Sequence, residues 1–378
     1  MSQLINFINE REQVIRKTYT ELHQLAEPSW QEQMTSQYIQ KALTEAGINF
    51  KTYEGHYGIV ADIPGEGHEI VALRADMDAI LQEVKGTIQP NHSCGHDAHS
   101  TIALHTALAI AANKPAQNKP FRFIFQPAEE KGEGALRMMQ EGALDGVDYL
   151  FGVHLRPWME VPMGKVAPAI IHSSCATIYG AIIGKQAHAS RPQDGNNPIE
   201  AASYLIQALQ NIRLKNPASF SIKMTSLQAG GDSSNVIPET ANFILDLRAK
   251  TNEAMDELQS RTMDLLGKVG ALTGTRINGT VKEFVPAARL NREAINLAKR
   301  TAVTVLGEEN VVDNCISQGG EDFHFYTLQN PDVKATMIGL GCDLRPGLHD
   351  PDMHFNQEAL LYGTKLLACL LLEAASKK

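Results

Sequence analysis

The segment "NHSCGHDAHS" (91–100) places one thiol, three imidazoles and a carboxylate within eight residues: His92, Cys94, His96, Asp97 and His99. Thiolate sulfur and imidazole nitrogen are donors for borderline transition ions such as zinc, cobalt, nickel and manganese. Gly95 lets the backbone bend between Cys94 and His96, so that both side chains can face one point. A polar loop capping the helix that follows is the plainer reading, but donors packed this closely favour a metal site.

A second chemical feature is "FQPAEEKGEG" (125–134), where an apolar run ends in the adjacent carboxylates Glu129 and Glu130. Like charges at the mouth of a buried strand are costly unless something positive meets them. Neighbours on an extended segment point in opposite directions, so both can serve one ion only if the strand is ending. One glutamate can then ligate while the other leans over a water, the division of labour that metal-assisted hydrolysis requires.

Single histidines could complete the donor set: His154 in "LFGVHL", and His349 and His354 in "RPGLHDPDMHF". Each alone reads as structural; together they supply partners that Cys94, His96 and one glutamate still lack. Further along, "GKQAHASRP" (184–192) carries His188 and Arg191, while "SSNVIPETANFILDLR" (233–248) carries Asn235 and Arg248. A guanidinium and an amide in one small domain can hold a carboxylate, although a surface histidine and a strand-ending arginine are the simpler reading. The sequence has no GxxxxGK[ST] phosphate loop, no GxSxG nucleophile elbow and no Cys-x-x-Cys pair.

The elements around these residues alternate. Helices are expected over "INFINEREQVIRKTYTELHQL" and "SWQEQMTSQYIQKALTEAG", with Ser29 and Glu32 as a capping box for the second. Strands follow at 58–64, 69–78, 121–127 and 148–155, with helices at 99–113 and 134–144 between them. That rhythm predicts an α/β catalytic domain, a mixed central sheet flanked by helices. From residue 174 the order becomes β-α-β-β-α-β, that of a ferredoxin-like α+β unit of about 110 residues. The expected organisation is therefore a catalytic domain from 1–173 and 285–378, with an inserted lid or dimerisation domain at 174–284. The chain has 378 residues, 43% apolar and 20% charged, with a net charge of −9, which argues against a nucleic-acid partner. No targeting peptide is visible, the apolar run Leu366–Leu372 is too short to span a bilayer, and five scattered cysteines fit a reducing, cytoplasmic setting.

In their order along the chain, "LHQLAEPSWQE", "LRADMDA", "NHSCGHDAH", "FQPAEEKGEGA", "FGVHL", "GKQAHASRP", "SSNVIPETANFILDLRA", "GGEDF" and "GLHDPDMHFNQEAL" resemble the zinc aminoacylase and carboxypeptidase superfamily. The amidohydrolase branch of hippurate hydrolase, auxin-conjugate hydrolase and N-acetyl-diaminopimelate deacetylase is the most similar, and the cysteine form of the metal loop belongs to it. The resemblance implies two divalent ions per subunit (zinc, manganese, cobalt or nickel) held by Cys94, His96, Glu130, His154 and His349, with Cys94 bridging. It implies Glu129 as general base and proton donor, Asp78 supporting the metal shell with Asp76 just before it, and His188 stabilising the oxyanion. Asn235 and Arg248 would bind the substrate carboxylate. The implied activity is hydrolysis of N-acyl amino acids by a homodimer formed through the inserted domain. A dipeptidase or carboxypeptidase with the same centre is the rival enzyme, and a non-catalytic binding protein the rival class. The chain departs from the branch at "RADMDAILQE", where the usual "RADMDALPI" loses its proline, and at "QAHASRPQ", which lacks the usual glycines and has Gln193 where His often stands.

Overall fold

The computed structural model describes residues 2–113, 119–215 and 219–377. The chain folds into two compact units, one of 1–171, 289–316 and 322–378, the other of 172–288 and 317–321.

The first unit is built on segments too apolar to leave a face in water. Strand Ile70–Asp76 is buried from Val71 onward and strand Phe121–Gln126 at all but Arg122, the pattern of strands covered on both sides. They lie in a seven-stranded sheet, whose spatial order runs Asn49–Tyr53, His56–Ile63, Phe121–Gln126, Ile70–Asp76, Val147–Pro157, Lys334–Leu344 and Val166–Ala167. The four strands in the middle of that order that begin with Phe121–Gln126 are mutually parallel; Asn49–Tyr53, His56–Ile63 and Val166–Ala167 join antiparallel. The sheet is therefore mixed, as expected. In register, Asp76 lies opposite Gln126, and His154 opposite Gly339. Chemistry-bearing side chains thus emerge at the carboxyl ends of parallel strands, where α/β sheets place ligands.

Helices His96–Asn113 and Glu358–Ala375 pack on each other and on the strand Ile70–Asp76. Both are buried nearly all round, as helices apolar on every face must be. Two expectations need correcting. The opening helix is two, Ser2–Glu10 and Glu12–His23, separated at Arg11, whose ψ of 11° leaves the helical range. Ser29 and Glu32 form no capping box: helix Gln33–Glu45 begins later, and Glu27 accepts from the N–H groups of Met34 and Thr35 instead. The Ser29 hydroxyl is taken by Asp78.

The second unit runs strand Ser174–Ile183, helix Pro198–Leu209, strands Phe220–Ala229 and Thr240–Ala249, helix Asn252–Thr273 and strand Arg276–Val285. The four strands form an antiparallel sheet in the order 220–229, 240–249, 174–183, 276–285. Strand Thr240–Ala249 alternates, with Ala241, Phe243, Leu245 and Leu247 buried against Leu205, Leu258 and Leu266 of the helices. Asn197 and Thr251 cap those helices with side-chain oxygens. The ring of Phe243 lies across Gly180, where an added Cβ would sit 2.1 Å from its Cζ. Gly180→Ala is expected to destabilise the protein by about 1–3 kcal/mol through overpacking, seen as a lower thermal midpoint at unchanged metal content; an unaltered midpoint would contradict this packing.

Candidate metal centre

The metal loop is shaped by the start of a helix. Gly95 has φ +87°, and its carbonyl accepts from the amides of Ala98 and His99, so the helix begins at His96, earlier than expected. His96 and His99, three apart, then share one helical face. Cys94 Sγ lies 3.6 Å from His154 Nε2. Donor atoms of Cys94, His96 and His154 lie within 4.8 Å of one another, and so do those of Cys94, Glu130 and His349. The two triads share Cys94.

The glutamate pair meets the condition set by the sequence for both carboxylates to face one point: the strand ends before them. The strand stops at Gln126, Ala128 takes a left-handed backbone (φ +53°), and Glu129–Lys131 form a single 3-10 turn. On a turn, unlike a strand, adjacent side chains need not oppose each other. His96 Nε2 accordingly lies 3.8 Å from Glu129 and 3.7 Å from Glu130. His349 Nε2 is also 3.7 Å from Glu130. The turn is pinned at its end by Gly134, where a Cβ would meet the Pro127 carbonyl at 1.7 Å.

Asp78 ties the turn to the metal loop. Its carboxylate accepts from the amides of Glu129 and Glu130, each at 3.1 Å, and from the Ser29 hydroxyl at 2.6 Å. Its backbone carbonyl accepts from His96 Nδ1 at 2.9 Å, and Leu155 O lies 2.7 Å from His154 Nδ1. Both rings therefore turn Nε2 toward Cys94, the orientation that ligating histidines require. His99 is used differently: Nδ1 donates to Asp76 at 2.7 Å and Nε2 accepts the Leu155 amide. Neither His92 nor His354 belongs to a donor group of this centre among the described residues.

Behind the site lies a buried ionic network in which Arg74 was not foreseen. Its guanidinium donates to Asp76 at 2.5 Å, to Asp322 at 2.8 Å and to Gln126 at 2.8 Å. The Asp322 amide in turn donates to Glu129 Oε1 at 3.3 Å. The signal was in the sequence, in "LRADMD" and "GGEDF", but periodicity cannot say that an arginine on a buried strand meets an aspartate 248 residues away.

Electrostatics favour an ion here. Burial pushes Glu130 up to about 7, with Asp78 adding to the push against the pull of His96. Burial would lower His96, but Asp76, Cys94 and Asp78 outweigh it and hold the imidazole well above its ordinary range. Burial, then Glu130, pushes the Cys94 thiol up. His154 and His349 are held low by burial and by neighbouring cations. His96 Nε2 and Glu130 Oε1 are buried with no hydrogen-bond partner, and such groups are normally satisfied. A divalent cation among these donors satisfies both, so the residues fit a metal.

In the second unit, His188 pairs in a short ladder opposite Val236, and the Ala189 amide donates to the Asn235 carbonyl, which brings His188 and Asn235 together. The Ser190 amide donates to His188 Nδ1 at 3.1 Å, leaving Nε2 as the protonated nitrogen of the neutral ring. Arg248 sits on the four-stranded sheet, half-buried, paired with Asp246 at 2.9 Å and donating to Cys175 Sγ at 2.8 Å.

A family model for peptidase family M20/M25/M40 matches residues 72–373. The N-acetyl-L-cysteine deacetylase of Bacillus subtilis (strain 168) is 32% identical over 357 residues, 92% of this chain and 84% of its own. The IAA-amino acid hydrolase ILR1-like 2 of Arabidopsis thaliana is 30% identical over 384 residues, 96% of this chain and 85% of its own. Among solved structures, a dinuclear metal-binding peptidase of the M20 family from Bacillus subtilis superposes with a TM-score of 0.83 at 26% identity, covering 97% of this chain and 99% of that one. A chain from methicillin resistant Staphylococcus aureus reaches 0.90 at 26% identity, with 99% of each covered.

Ligands must shed protons to bind an ion. Glu130 at about 7, and Cys94 and His96 held above their ordinary ranges, must all give up protons to an ion, so metal affinity is expected to fall as pH drops through 7. Zinc titrations by calorimetry in buffers of different ionisation heat should report net proton release at pH 7; uptake with no release would contradict this electrostatic account.

Proposed function

The chain belongs to peptidase family M20/M25/M40, and from that premise we propose that it is a metal-dependent amidohydrolase cleaving N-acyl amino acids. The observation that carries the reading is the pair of donor triads sharing Cys94, with a second carboxylate, Glu129, beside them. Two divalent ions held by Cys94, His96, Glu130, His154 and His349 would supply Lewis acidity for the amide carbonyl and acidify water. Zinc or cobalt suits the thiolate, and manganese the carboxylate.

This chain's own residues do the rest. Glu129, oriented by the Asp322 amide on Oε1, takes the proton of the attacking water and passes it to the departing nitrogen. Asp78 holds the glutamate turn and the His96 ring in one arrangement. His188, with its proton on Nε2, donates to the developing oxyanion. Arg248, its fork aligned by Asp246, and Asn235 receive the substrate carboxylate. The deacetylase and IAA-amino acid hydrolase names of the relatives favour an acyl group over an aminoacyl group.

We place the enzyme in the cytoplasm, as a homodimer associating through the second unit. All five cysteines are unpaired and buried, which suits a reducing compartment. Among the described residues no helix is long and apolar enough to cross a membrane. Strands Phe220–Ala229 and Arg276–Val285 are edges of their sheet, and unpaired edges are sites of association.

Glu129→Gln is expected to lower kcat by about 100- to 10,000-fold while metal per chain stays at the wild-type value; wild-type turnover would remove Glu129 from the mechanism. N-acetyl and N-benzoyl amino acids should be hydrolysed faster than dipeptides with a free α-amino group, and a chelator should abolish both activities. Faster dipeptide cleavage would transfer the chain to the peptidase reading.

A further inference from the structure

His349 is an unusual residue to hold a ligand position. Its backbone is left-handed, φ +63°, a region uncommon for residues with a Cβ although histidine enters it more often than most. Its side chain is more than half exposed, 57%, so packing does not impose it. The clamp comes from the segment between Asp78 and the metal loop. That segment is a two-stranded hairpin, Ile80–Val84 paired with Thr87–Asn91. Lys85 and Gly86 at its tip have φ +51° and +83°, the two-residue turn whose twist suits antiparallel strands.

From this hairpin one amide reaches both sides of the centre. Gln82 Nε2 donates to the His349 carbonyl at 3.1 Å. Gln82 Oε1 accepts from the hydroxyl of Ser93, the residue before Cys94, and from Asn91 Nδ2 at 3.4 Å. The Ser93 carbonyl accepts the His349 amide at 2.8 Å, and Asn91 Nδ2 donates to the Pro351 carbonyl at 3.0 Å. Ser93, Gln82 and His349 thus form a closed ring of hydrogen bonds, joining a segment ending at Cys94 to one 267 residues from Gln82.

We infer that Gln82 is a positioning residue for the donor triad Cys94, Glu130 and His349: its side-chain amide fixes the spacing between the thiol and His349. The inference rests on the metal reading given above and goes beyond it, assigning the second triad's geometry to a residue that touches no ion. Only a primary amide does both jobs, donating to one carbonyl while accepting from a hydroxyl. A carboxylate of the same size accepts from Ser93 but cannot donate to His349, and would face the His349 carbonyl with like polarity. Partners of this kind typically change metal affinity by about 10- to 100-fold when removed. The other triad, Cys94, His96 and His154, is oriented by the Asp78 and Leu155 carbonyls and does not depend on Gln82 in this way.

The test is cobalt(II) binding to the full-length apoprotein, by equilibrium dialysis with the thiolate-to-cobalt absorption band as a second readout. Wild type is expected to take up two ions per chain. Gln82→Ala and Gln82→Glu should each weaken one of the two sites by about 10- to 100-fold and leave the other unchanged, with the thermal transition of the apoprotein retained. Asn91→Ala, which removes the Pro351 contact and the long contact to Gln82 but leaves the Gln82–His349 and Gln82–Ser93 bonds, should act in the same direction more weakly. Two sites of wild-type affinity in Gln82→Ala would overturn this assignment alone. Loss of both ions together with the native thermal transition would assign Gln82 to the fold and also overturn it. A wild-type chain that takes up no cobalt would overturn both this assignment and the metal reading beneath it.

Discussion

One buried cation organises the catalytic end of the first unit. Arg74 is 1% exposed, and its guanidinium spans Asp76, Asp322 and Gln126. In that setting neither aspartate could remain ionised alone, and the arginine could not remain unpaired. Satisfying all of them fixes where the strands Ile70–Asp76 and Phe121–Gln126 end relative to Asp322. From Asp76 the network continues through His99 to the Leu155 amide, beside His154. From Asp322 it continues to Glu129 and to the amide of Ala135. The planar fork suits this task, since three partners are met in fixed directions that a lysine ammonium would not define.

A second support comes from the start of the chain. Three side chains of segment Glu27–Glu32 reach Asp78 or the glutamate turn. Ser29 donates to Asp78, Glu32 accepts the Ala128 amide ahead of Glu129, and the Trp30 indole donates to Glu133. Trp30 itself is left-handed at φ +68°, a strained conformation for a bulky residue, held by Glu32 accepting its amide. Burial lifts Glu32 to about 7, with its backbone donors opposing and Asp78 adding. The unfavourable backbone at Trp30 and buried acid at Glu32 are offset by a glutamate turn held from outside as well as from within.

Much of this was legible in the sequence, for physical reasons that differ by residue. The donor types of Cys94, His96 and the glutamate pair announced their chemistry, and the apolar runs announced a mixed, covered sheet. The convergence of Glu129 and Glu130 on His96 was foreseeable only conditionally, because it depends on where the strand stops, and a left-handed Ala128 carries no composition signal. Which carboxylate ligates and which handles the proton came from the family resemblance alone. The hairpin at 80–91 was hidden by weak alternation: Gln82, Gln89 and Asn91 lie on it, and polar residues give period-two patterning little contrast. Ser29 and Glu32 matched a cap template by spacing, yet tertiary partners claimed both. Arg74, Asp322 and Gln82 act across long separations, and local pattern holds no information about such contacts.

The order of the donors along the chain bears on how the enzyme is born. Cys94, His96, Glu130 and His154 all precede the second unit, while His349 follows it, in the last stretch before the terminal helix Glu358–Ala375. Synthesis proceeds at about 5–20 residues per second, with domains generally folding as they emerge. The first unit cannot close as its early segments emerge, because strand Lys334–Leu344, which lies beside Val147–Pro157, and helix Glu358–Ala375, which packs on the metal-loop helix His96–Asn113, are made last. His349 arrives in the same closing stretch, so the donor triad Cys94, Glu130 and His349 is brought together only as the sheet that carries it is completed.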